Sequence, residues 1–133
     1  MSDSFFVKLR VTGILLALDA AVLFLLGTLL LVLPQHVLFA FGFVDQPIGV
    51  TYIIALWGCA ILTMAIGYWK ASADPVRHLV WAQVGIARGA LECAVGIVYL
   101  LRGVVSFRQA GVGIILAGLF AAAYLIFYPR AET

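Results

Sequence analysis

Residues 11–33 read VTGILLALDAAVLFLLGTLLLVL, an almost unbroken apolar run whose one charge is Asp19. A helix rises about 1.5 Å per residue and the hydrocarbon core of a bilayer is about 30 Å thick, so roughly 20 such residues cross it. A barrel strand would be about half that length and would alternate in polarity, which this run does not. The segment therefore reads as a transmembrane helix. A secretory leader is the competing reading, but its apolar core would be about 7–15 residues followed by a small-residue cleavage site. Here the run is longer and ends in bulky Leu31, Val32 and Leu33 before Pro34, so it is expected to be retained as a span.

The same rule cuts the rest of the chain. Residues 50–69 carry no charge, residues 79–101 carry Arg88 and Glu92, and residues 110–128 carry none. Connections are short, which predicts an all-α integral membrane protein: one domain, a four-helix transmembrane bundle running up-down-up-down. Composition agrees. Of 133 residues 65% are apolar and 11% charged, against about half and a quarter in a soluble domain, so the chain cannot clothe itself with a water-facing surface. With two Cys and eight basic residues it is neither a disulfide scaffold nor a nucleic-acid binder, and its apolar content excludes a disordered chain. The expected location is the cell membrane, inner or plasma.

Basic residues set the orientation. Lys8, Arg10, Lys70, Arg77 and Arg130 fall on one side of the spans, against Arg102 and Arg108 on the other, so both termini are predicted to be cytoplasmic. Tyr68, Trp69 and Trp81 read as aromatic anchors at the inner interface, Tyr52 and Tyr99 at the outer, and Phe127 with Tyr128 at the last exit. The outer connection, residues 34–49, is too apolar for a solvated loop and too short to span. With Phe39, Phe41 and Phe43 it reads as an interfacial elbow lying among headgroups or tucked against the mouth of the bundle.

Asp19, Arg88 and Glu92 are the ionisable residues inside the spans, and an intramembrane charge must pair, face the interior or line a wet cavity. Counted from the side of the termini, Asp19 lies about 13 Å deep and Arg88 about 15 Å, which makes them level. Glu92 follows Arg88 by one turn on the same face. An Arg between two carboxylates is the expected cluster, and it leaves one negative charge over. Either one acid carries a proton or a further cation arrives, so the same three residues form a polar core or a candidate coupling site. Gly85, Gly89 and Gly96 share the face and read as helix-packing positions. Gly58, Gly67, Gly111, Gly113 and Gly118 read the same way in the second and fourth spans.

His36 and His78 fall at opposite interfaces, so no bis-His haem is expected, nor a metal site. Cys59 and Cys93 read as small buried apolar residues with no redox pairing. No catalytic motif stands out, no bound cofactor is required, and a quinone or lipid is the remaining option.

The layout from Gly13 to Pro34, the Gly58 span, and Ala73-Asp74-Pro75 with Arg77 opening a third span that holds Arg88 resembles the small four-span bacterial proteins grouped as DoxX-like. The resemblance covers the whole chain at the level of span layout. It implies a membrane subunit or accessory protein, since some such proteins are linked to quinone-dependent sulfur or redox complexes. The expected function is a small accessory or complex-forming subunit, whose partners are the bilayer and other membrane subunits or further copies of itself. The alternative is a small homo-oligomeric proton- or cation-coupled transporter or channel using an intramembrane carboxylate.

Overall fold

The computed structural model describes residues 3–130, which form five helices: α1 (Asp3–Val32), α2 (Pro34–Ala40), α3 (Ile48–Ala73), α4 (Leu79–Leu101) and α5 (Phe107–Ile126). Four of them, all but α2, are long and apolar enough to cross a membrane. α4 matches the expected span residue for residue, while the other three differ at their ends. α1 extends back through the Lys8 and Arg10 turn to Asp3, the first described residue, and α3 runs on to Ala73, where Asp74-Pro75 stops it.

The connection at residues 34–49 is not all loop. Its first seven residues are helical, with Pro34 in the first turn, where a missing N–H costs nothing. The helix closes on Gly42 at φ +84°: the Gly42 N–H reaches the Phe39 carbonyl and the Phe43 N–H reaches Leu38. Gly103, at φ +71°, closes α4 in the same manner. A Ser106/Gln109 capping box starts α5.

The long helices alternate in direction and pack as two hairpins. In the first, Gly27 of α1 faces Gly58 of α3 so closely that a Cβ on Gly58 would stand 2.9 Å from the Gly27 carbonyl oxygen. In the second, a Cβ on Gly89 would stand 2.6 Å from the Ala117 carbonyl of α5, one on Gly85 would meet the Tyr124 ring, and one on Gly96 would meet Ile114. The glycine face of α4 is thus covered by its own neighbour. Gly113 behaves differently from the packing role expected of it, because nothing lies within 4 Å of the position its Cβ would take.

The hairpins meet chiefly toward the end of the bundle where α3 gives way to α4. There the buried Thr12 hydroxyl donates to the Phe127 carbonyl (2.8 Å), the Trp81 ring sits over Gly67, and the Tyr68 and Trp81 rings lie 5.3 Å apart. Tyr68 is fully buried, so the interfacial anchor expected at this position is instead a core side chain, while its neighbour Trp69 faces outward. Cys59 also departs from expectation: it is exposed on the outside of the bundle, and Cys93 is only half-buried. Both stay free thiols.

These contacts make a direct prediction about glycines. Gly58→Ala is expected to destabilise the protein by about 1–3 kcal/mol, because the new methyl meets backbone that cannot swing aside. Gly113→Ala is expected to stay within about 0.5 kcal/mol of the parent. Unfolding of both variants in one detergent checks the contrast, and equal losses would refute the packing described here.

Candidate functional site

Asp19 lies on the face of α1 that also carries Thr12, Leu16 and Leu23, all buried, and is itself 1% exposed. A carboxylate in that position must have its oxygens occupied. Nη2 of Arg88 donates to Oδ1 at 2.8 Å and to Oδ2 at 3.0 Å, and the Tyr124 hydroxyl donates to Oδ2 at 2.9 Å. The guanidinium does not present its two-pronged fork to Asp19. One nitrogen straddles both oxygens, which leaves Nη1 and Nε for other partners.

Those partners complete the network. Nη1 reaches Oε1 of Glu92 at 3.4 Å, one helical turn along, and Nε reaches the Tyr68 hydroxyl at 3.4 Å. The guanidinium carbon also lies 5.5 Å from the Tyr68 ring centroid, within cation–π range. Every long helix contributes: α1 gives Asp19, α3 gives Tyr68, α4 gives Arg88 and Glu92, and α5 gives Tyr124. Among the described residues no buried side-chain nitrogen or oxygen lacks a partner. The Tyr124 hydroxyl is also 3.3 Å from the Leu15 carbonyl, but it has one proton, and the shorter contact to a carboxylate is the stronger.

Glu92 differs from Asp19 in kind. It has one long contact and its side chain is 46% exposed. It faces a cavity of about 690 Å³ that opens between the hairpins, on the side of the cluster toward the elbow. Arg88 and Glu92 form the polar floor. The walls are apolar side chains of α1, α3 and α5, including Trp57 and the open position at Gly113, and the elbow contributes Phe41 and Phe43. Gln109 lines the cavity and donates through Nε2 to the Gly42 carbonyl (3.2 Å), bridging elbow and α5. Phe39 points outward.

The structure thus brings Asp19, Arg88 and Glu92 together and seats Gly85, Gly89 and Gly96 against α5. Sequence reasoning missed Tyr68 and Tyr124 as members of the cluster. For Tyr124 the available signal was a phenol inside an apolar span, where its hydroxyl must find an internal partner, whereas Tyr68, beside the end of its expected span, offered no such signal. His36 on α2 and His78 beside the Asp74 carbonyl (3.1 Å) lie at opposite ends of the bundle. Among the described residues no three His, Cys, Asp or Glu side chains gather as a metal site requires. The chain matches no known protein family, no characterised protein and no solved structure.

The geometry ranks the members of the network. Arg88→Ala strands a buried carboxylate and is expected to cost about 3–5 kcal/mol. Tyr124→Phe removes one bond to a charged group, about 1.5 kcal/mol, and Glu92→Gln, half-exposed and long-bonded, less than about 1 kcal/mol. Equilibrium unfolding in detergent tests the order, and a Glu92 variant as damaging as the Arg88 variant would overturn it.

Proposed function

We propose that this chain is a multi-pass protein of the cell membrane, with both termini in the cytoplasm, that serves as a small accessory subunit of a larger membrane assembly. The observation that carries the reading is the saturation of Asp19. A carboxylate with both oxygens occupied, held by α4 and α5 and sealed from its surroundings, is suited to fixing helix register rather than to exchanging protons or ions. The mostly apolar outer surface of four helices that bury only a narrow stripe within the chain supports the same reading. Orientation rests on the five-to-two bias of basic residues.

A second reading has its own observation. Glu92 is the carboxylate left outside the lock, and it faces a cavity large enough for a small molecule. On that reading the protein is a small homo-oligomeric transporter in which Glu92 is the coupling group. A protomer of four spans has little interior for a pathway of its own, so this reading calls for a second copy.

The two readings part on purification from the native membrane in mild detergent. Native mass spectrometry is expected to show the chain bound to larger, different subunits in defined ratio. A homogeneous oligomer of this chain alone would contradict the subunit reading and favour the second.

A further inference from the structure

The cavity between the hairpins has a chemical signature that neither a structural lock nor a lipid-filled gap requires. It is almost wholly apolar along its walls, and its floor is the exposed edge of a charged network. Within that network the charges do not cancel. Asp19 and Arg88 neutralise each other at 2.8 Å, and Arg88 has only a 3.4 Å contact left for Glu92. With both acids ionised, the cavity therefore ends on a carboxylate whose charge the protein has not compensated, in surroundings where an uncompensated charge is costly.

We propose that the cavity binds a lipophilic cation: a molecule with a bulky apolar or aromatic body and one positive charge, the charge meeting Glu92 and the body packing against Trp57, Phe41 and Phe43. The proposal rests on the second reading above only in taking Glu92 as the working carboxylate, and it holds whether or not the ligand is carried across the bilayer. Charge decides the class. An anion would have to use Arg88, whose Nη2 is already held by Asp19 and which is flanked by Glu92. A neutral molecule such as a quinone would fit the walls but leave the negative charge where it was. A cation brings the floor to neutrality, and attraction across a low-dielectric contact gives selectivity between molecules of one shape and opposite charge. The volume of about 690 Å³ lies in the range that encloses most of a small molecule's surface.

Tetraphenylphosphonium and tetraphenylborate share a shape and differ in sign, so they test the claim. The whole protein is placed in nanodiscs of zwitterionic lipid, and saturable binding of each ion is measured against empty discs. Tetraphenylphosphonium is expected to bind one per chain and tetraphenylborate at least about tenfold more weakly. Glu92→Gln is expected to weaken the cation about tenfold or more and to leave the borate no weaker. Gly113→Leu, which fills the cavity from a position with no neighbour within 4 Å, is expected to abolish binding of the cation while the protein still folds.

Equal binding of the two ions, undiminished cation binding in the Glu92→Gln protein, or undiminished binding in the Gly113→Leu protein would each overturn the proposal. Should Glu92→Gln fail to fold, the comparison of the two ions in the parent protein and the Gly113→Leu result still decide it. Flux in proteoliposomes is read separately. Cation binding without flux supports the site while removing the transporter reading.

Discussion

Two charges that water would otherwise solvate set the terms for this bundle. Asp19 on α1 and Arg88 on α4 belong to different hairpins, and each would be expensive within an apolar span unless it met the other. Their contact joins the hairpins at one level, and around that level the aromatic side chains gather: Tyr124 to occupy the remaining face of the carboxylate, Tyr68 to meet the guanidinium, Trp81 to lie against Tyr68. Within each hairpin, by contrast, no charge is involved. Glycine and alanine let the backbones approach, as at Gly27 with Gly58 and at Gly89 with Ala117. The molecule thus has two kinds of adhesion, close packing inside each hairpin and a polar lock between them.

That division explains where the cavity lies. On the side away from the elbow the lock is reinforced by the Thr12 bond to the Phe127 carbonyl, and the hairpins stay together. In the other direction, among the described residues, no polar bond joins the walls until Gln109 reaches the elbow at Gly42, and the space between is lined by apolar side chains. Glu92, one turn beyond Arg88, falls at the boundary between the two regions. Its position on the helix makes it the member of the cluster accessible from the cavity, although the charge pattern alone gives it the same standing as Asp19.

Much of this was legible in the residues. The spans follow from uninterrupted hydropathy, and the level of Asp19 with Arg88 follows from the rise of a helix and the alternation of its direction. What was not legible depends on how side chains project once the helices have packed. Tyr68 has the position of an interfacial anchor and the environment of a core residue, a difference set by the rotation of α3 about its axis rather than by depth. Cys59, read as a small buried residue, is exposed for the same reason. The short helix α2 escaped notice because seven residues between prolines and aromatics carry no measurable period. The cavity could not be foreseen at all, since it is made by the separation of the hairpins and by the elbow that lies across it.

The bond between Asp19 and Arg88 is what holds the hairpins together. A double-mutant cycle with Asp19→Asn, Arg88→Gln and the combined variant, read by reversible unfolding in mixed micelles, measures it most directly. The second substitution is expected to cost far less once the first is made, with a coupling of about 1.5–3 kcal/mol between the two sites. Losses that simply add, to within about 0.5 kcal/mol, would show that the pair is incidental to the fold and would contradict the account.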